Sequence, residues 1–131
     1  LAKTLNKFDP DFVLIELGGN DALRGYSIKL IKSNLEKMIA LIKQNKSKVL
    51  LMQIRIPPNY GQKYMLAFEK IYKDLALSEE VYLIPFMLEE IGINSDLMQP
   101  DGIHPNKKAQ SLIAKDVKKN IDKFLLINQS N

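Results

Sequence analysis

Three short runs of branched apolar residues constrain this chain more than any other feature: Phe12 to Leu17, Val49 to Ile54, and Val81 to Ile84. Each run is near-continuous rather than alternating, the pattern of a strand buried on both faces of a parallel sheet. Parallel neighbours need long crossover connections, and the stretches between the runs carry the period of helices. Ile28, Ile31, Leu35, Met38, Ile39 and Ile42 recur at spacings of three and four, which predicts an amphipathic helix from about Ser27 to Gln44. Tyr64, Phe68, Ile71, Tyr72 and Leu75 repeat the pattern after the Pro57-Pro58-Asn59-Tyr60-Gly61 break. Ala109, Leu112, Ile113, Val117, Ile121 and Phe124 form the last helix, with Pro105 near its first turn. Leu1 to Lys7 reads as the tail of a further helix. The order (α)-β-α-β-α-β-loop-α predicts a doubly wound α/β sheet.

A chain of 131 residues that is 46% hydrophobic has enough apolar side chains for one core. Its formal charge of +4 raises the question of a polyanionic partner. Lys107, Lys108, Lys115, Lys118, Lys119 and Lys123 are interleaved with apolar residues at helical spacing, so they read as solvated helix faces, and no nucleic-acid partner is expected. The absence of cysteine excludes disulfides, thiolate metal sites and a cysteine nucleophile. One histidine is too few for a transition-metal site, so no metal is expected. No apolar run has the length of a transmembrane helix, and Leu1-Ala2-Lys3-Thr4 is not a signal peptide. A parallel sheet of three strands is small and leaves two edges open. The expectation is that residues 1–131 are the C-terminal portion of a single larger domain.

Ligands of open α/β sheets bind beyond the carboxyl ends of the strands, and the polar clusters of this chain fall there. Gly18-Gly19-Asn20-Asp21 follows the first run, Arg55 to Gly61 follows the second, and Asp101-Gly102-Ile103-His104-Pro105-Asn106 lies in the long segment after the third. The three are expected to converge on one rim. The last contains the only histidine. An aspartate three residues before a histidine can fix the imidazole tautomer, leaving the other ring nitrogen to take a proton from a hydroxyl. Taken alone, Asp101 reads rather as a turn or helix-capping residue. Paired glycines let the backbone turn sharply and approach a ligand, so that Asn20 can aim an N–H at a developing oxyanion. A Gly-Asn turn with Asp21 capping the next helix explains the same residues without chemistry. Neither the Walker spacing nor Gly-x-Gly-x-x-Gly occurs, which disfavours a flavodoxin-like nucleotide binder.

Gly18-Gly19-Asn20-Asp21 and Asp101-Gly102-Ile103-His104-Pro105 resemble two sequence blocks of the SGNH, or GDSL, hydrolases. Leu14-Ile15-Glu16-Leu17, Leu23-Arg24-Gly25-Tyr26, Ile54 to Gly61 and Met98 to Asn106 are similar to its bacterial multifunctional acyl-CoA thioesterase/lysophospholipase/arylesterase group. The resemblance runs over essentially the whole chain in the right order. It implies a three-layer α/β/α flavodoxin-like sandwich that hydrolyses esters and thioesters through an acyl-serine, with no cofactor or metal. By that pattern His104 is the general base, Asp101 orients it, and Asn20 with Gly19 serves the oxyanion. Leu23, Tyr26, Ile56 and Tyr60 would border an acyl crevice. Arg24 would attract an anionic head group, although a plain loop leading into a helix explains it equally well. For bacterial members the resemblance points to a periplasmic or secreted home; the sequence itself leaves the compartment open.

The family's Gly-Asp-Ser-Leu block, which supplies the nucleophile, and its second-block glycine do not occur here. Ser27, Ser33, Ser47, Ser78, Ser95, Ser111 and Ser130 all lack the motif. The expectation is a serine esterase or thioesterase whose nucleophile lies outside this chain, the chain alone being inactive. Its first run would then be an apolar strand edge open to self-association. The alternative is a non-catalytic acyl- or lipid-binding or assembly module derived from the same fold.

Overall fold

A computed structural model describes residues 1–129. Helix α1 (Ala2–Phe8) precedes strand β1 (Phe12–Ile15), the five-residue helix α2 (Gly19–Leu23) and the long helix α3 (Ile28–Gln44). Strand β2 (Lys48–Met52), helix α4 (Gln62–Ser78), strand β3 (Tyr82–Ile84) and helix α5 (Gln110–Gln129) follow. Short 3₁₀ turns sit at Pro58–Tyr60, Ser95–Leu97 and Lys107–Ala109. The strands form one sheet in the order β1-β2-β3. β1 and β2 are parallel, in register from Phe12 opposite Lys48 to Ile15 opposite Leu51. Contacts divide the chain into two compact units, Leu1–Leu83 and the residues from Ile84 onward. Among the described residues no helix is long and apolar enough to cross a membrane.

The core of the first unit follows from the two periodicities. One face of α3 contributes Ile31, Leu35, Ile39 and Ile42, and one face of α4 contributes Phe68, Ile71, Tyr72 and Leu75. They close over Ile15, Val49 and Leu51 of the sheet. The Phe68 and Tyr72 rings meet edge to face at 5.4 Å, a geometry favoured by the aromatic quadrupole. Ser27 caps α3, its hydroxyl accepting from Leu30 N–H at 3.3 Å. Buried Ser47 donates to Pro10 O at 2.7 Å and so ties the entry of β2 to that of β1.

The structure corrects several sequence expectations. β1 ends at Ile15 and not at Leu17, because its ladder with β2 stops there. β2 runs from Lys48 to Met52, not from Val49 to Ile54. Phe12 and Leu14 of β1, expected to be buried on both faces, are 38% and 36% exposed. Asp21 caps no helix: it lies in the first turn of α2, whose N-cap is Gly18, while Ser27 caps the next helix. The last helix extends beyond Phe124 to Gln129.

In the second unit Ile84, Ile91, Ala109 and Phe124 are buried. A concavity of about 650 Å³ has Phe86, Ile91, Leu97 and Leu112 in its wall, with Lys119 and Asp116 supplying both signs of charge. Neither Asp101 nor His104 lines it.

Candidate active site

The segment with Asp101 and His104 is folded by its own backbone. Met98 and Pro105 form an isolated antiparallel bridge. Gln99 N–H donates to His104 O at 2.7 Å, and Gly102 N–H to Gln99 O at 3.0 Å, closing the turn. Gly102 takes φ +66°, which a side chain rarely adopts. At the base of the turn Asn106 donates through Nδ2 to Asp96 O at 2.8 Å and Met98 O at 3.1 Å. Its Oδ1 accepts from Lys108 N–H at 2.9 Å, capping the 3₁₀ turn that leads into α5. Asparagine at this position thus joins the turn to the helix.

Within that frame Asp101 uses both carboxylate oxygens. Oδ1 accepts from Ile103 N–H at 2.9 Å and from His104 N–H at 3.0 Å. Oδ2 lies 2.8 Å from His104 Nδ1. The backbone N–H of His104, then its ring, then the N–H of Ile103 hold the Asp101 carboxyl down at about 2. An ionised Asp101 only accepts, so the proton between the pair belongs to Nδ1. In the neutral imidazole that leaves the Nε2 lone pair free. Both side chains are open to solvent, His104 at 66% and Asp101 at 44%. The turn therefore presents an imidazole held through Nδ1, and Asp101 both closes the turn and bonds that ring.

Gly19 and Asn20 sit in the first unit, at the start of α2. Gly18 has φ +110° and ψ −25°, and a Cβ there would meet Tyr72 Oη at 2.6 Å. A Cβ on Gly19 would lie 3.2 Å from Ile54 Cγ2. The turn is thus pressed between α4 on one side and the exit from β2 on the other. Asn20 is exposed. Tyr72 Oη donates to Leu17 O at 2.9 Å, and Tyr64 Oη donates to Tyr26 O at 2.6 Å. Burial first, and the Asp21 carboxylate second, push both phenols above their usual range, so both stay protonated donors.

The residues expected to border a crevice divide by exposure. Arg24, Tyr26 and Tyr60 are exposed, whereas Leu23 packs partly buried against the core. Ile56 is only 5% exposed and belongs to the core itself. Arg55 Nε lies 3.6 Å from Glu69 Oε2 of α4. The serines have other employment or stand on helices: Ser27 is a cap, Ser47 is buried, and Ser33, Ser78 and Ser111 are helical. Ser95 opens a 3₁₀ turn, and Ser130 lies outside the described residues. Among the described residues no group of three or more His, Asp or Glu side chains is placed to hold a metal. Sequence reasoning missed Tyr64 and Tyr72 as polar groups, having counted both as apolar helix-face residues.

The profile of the GDSL-like Lipase/Acylhydrolase family matches residues 1–112. The chain belongs to this family. The GDSL-family chain is 48% identical over 125 residues to an arylesterase of Vibrio mimicus, covering 95% of the chain and 62% of that relative. It is 45% identical over 114 residues to thioesterase 1/protease 1/lysophospholipase L1 of Escherichia coli K12, covering 87% of the chain and 55% of that protein. The crystal structure of the psychrotrophic esterase EstA of Pseudoalteromonas sp. superposes with a TM-score of 0.93 at 39% identity, over 95% of this chain and 68% of EstA. The α/β fold is that of the SGNH hydrolases. The chain spans between about half and two thirds of the length of the curated relatives it matches.

Proposed function

We propose that this chain supplies the general base and an oxyanion donor of a serine esterase or thioesterase, and that the nucleophilic serine lies in sequence outside it. The observation that carries the reading is the 2.8 Å contact between Asp101 and His104 on a solvent-open turn. His104 Nε2 takes the serine proton as the serine oxygen attacks the acyl carbonyl carbon. The carbonyl π electrons move to oxygen, and the oxyanion accepts from the Asn20 side-chain N–H and from donors beside the nucleophile. Collapse of the tetrahedral intermediate breaks the bond to the alcohol or thiol, which leaves with the proton from His104. Water, deprotonated by the same nitrogen, then attacks the acyl-serine; the bond to the serine oxygen breaks, that oxygen takes the proton back from His104, and the acid is freed. Asp101 stays ionised throughout and holds the imidazole through Nδ1. The relatives named arylesterase and thioesterase/lysophospholipase support esters and thioesters as the substrate class. Arg24, Tyr26 and Tyr60, all exposed, are the crevice contacts this reading retains; Leu23 lines its edge, and Ile56 supports it from the core.

Two observations support a nucleophile from elsewhere. No serine of the chain stands in a Gly-Asp-Ser-Leu motif. Among the described residues β1 is also an apolar strand at the end of the sheet, with Leu14 exposed, a place where a further strand can be added. The intact mass of the protein from its native source, before and after a fluorophosphonate serine probe, tests the reading. A mass well above 15.0 kDa with one adduct is expected. A mass near 15.0 kDa without adduct overturns it in favour of an acyl-binding or assembly module.

A further inference from the structure

The segment that carries Gly19 and Asn20 is fastened at both ends by one helix. Tyr72 of α4 donates to Leu17 O at 2.9 Å, immediately before Gly18. Tyr64 of α4 donates to Tyr26 O at 2.6 Å, just after α2, and its hydroxyl also lies 3.4 Å from Ala22 O. Positions 64 and 72 are about two turns apart on α4, so both rings leave neighbouring parts of one face. Between the two fastened carbonyls stand Gly18, in a backbone conformation that side chains rarely adopt, and the five residues of α2. A helix that short has little stability of its own, because nucleation is unfavourable and few bonds propagate from it. Its direction is set from outside.

Burial alone does not call for a hydroxyl at position 72. Tyr72 is 0% exposed, and its ring packs edge to face on Phe68. Phenylalanine would fill that space without a polar atom to desolvate. The hydroxyl is satisfied by a backbone carbonyl 55 positions earlier in the chain, and that bond turns a core residue into a tether.

We propose that Tyr64 and Tyr72 are positioning residues for the oxyanion turn: their hydroxyls fix the peptide planes on either side of Gly18–Asn20 and thereby aim the Asn20 amide. This rests on the reading of Asn20 as an oxyanion donor. A donor effective only in the transition state acts on kcat, and small misplacement of a catalytic group costs rate without weakening ground-state binding.

The test is a double-mutant cycle on ester hydrolysis by the full-length protein that contains this chain. Tyr72→Phe is expected to lower kcat roughly tenfold with KM within about twofold. Tyr64→Phe should act in the same direction and less strongly, since its half-buried hydroxyl holds the far end of the segment and not the residue next to Gly18. In an Asn20→Ala background Tyr72→Phe should change kcat by less than about twofold, because the group it aims is gone. An unchanged kcat for Tyr72→Phe while Asn20→Ala is slow overturns the tether and leaves the oxyanion reading standing. A tenfold loss that persists in the Asn20→Ala background, or a rise in KM alone, overturns it as well. An unchanged kcat for Asn20→Ala removes the oxyanion reading itself and the tether with it. Should Tyr72→Phe fold poorly, Tyr64→Phe carries the same comparison at a half-buried site.

Discussion

Gly18→Ala perturbs the point where backbone conformation and side-chain packing meet. At φ +110° an alanine is held in a region almost reserved for glycine, at about 1–3 kcal/mol. Its Cβ would also stand 2.6 Å from Tyr72 Oη, closer than such atoms approach. Tyr72 has no room to yield: it is fully buried, packed edge to face on Phe68 and bonded to Leu17 O. Displacing the phenol forfeits that hydrogen bond, worth about 1 kcal/mol and more if the hydroxyl stays buried without a partner. The expected loss is therefore about 2–4 kcal/mol in all, combining backbone strain with the lost contact. Urea unfolding of the full-length protein measures it as a drop in midpoint at constant slope. In a Tyr72→Phe background the obstructing oxygen is absent, so the same substitution should cost only the backbone strain, about 1 kcal/mol or more below its cost in the native background. A loss below about 1 kcal/mol for Gly18→Ala, or an equal loss in both backgrounds, refutes the reasoning.

On the proposed mechanism His104→Ala should lower ester turnover by the full-length protein at least about a thousandfold, since nucleophile and base act as a unit; near-native turnover in a p-nitrophenyl ester assay removes His104 from the chemistry. The carboxyl of Asp101 is held at about 2 against an ordinary 3.8, so its contacts are complete above about pH 4 and are lost as pH falls through about 2. Amide ¹⁵N shifts of Ile103 and His104 should follow that low midpoint; a midpoint near 4 means that Oδ1 does not hold those N–H groups. Ser27→Ala should destabilise the protein by about 1 kcal/mol through loss of the α3 cap, and an unchanged urea midpoint would show that the 3.3 Å bond contributes nothing.

What the sequence made legible was whatever repeats or lies close along the chain. α3 was readable to within a residue because its apolar stripe is unbroken and Ser27 stands at its start. The Asp101–His104 pair was readable because three residues and a Gly-Pro frame hold the whole interaction. α2 was not, because a five-residue helix shows no period; without it Asp21 looked like the cap of α3. The end of α5 was missed because Leu125, Leu126 and Ile127 leave the stripe and face solvent. Ile56 looked like a loop residue beside the prolines, and its burial depends on a core assembled from other elements. The two tyrosine tethers join positions 55 and 38 residues apart, and nothing in a helical period separates them from phenylalanine.

β1 is where local sequence and observed environment disagree. Phe12-Val13-Leu14-Ile15 carries no charge, proline or bulge, the devices that keep an edge strand from pairing with other chains. It is written for a strand covered on both faces and paired on both edges. Among the described residues its strand partner is β2, and the side chains of Phe12 and Leu14 are exposed on one face. Natural sequences seldom leave such a conflict uncompensated, so a strand of this kind is evidence about its partner. An extra strand running parallel to β1 at that edge would end next to Gly18 and Asn20, at the carboxyl end where ligands of α/β sheets bind. The edge position of β1 and a nucleophile outside the chain are therefore two aspects of one proposal. On that proposal, a strand that completes the sheet at β1 would carry its serine toward the turn that Tyr64 and Tyr72 fasten.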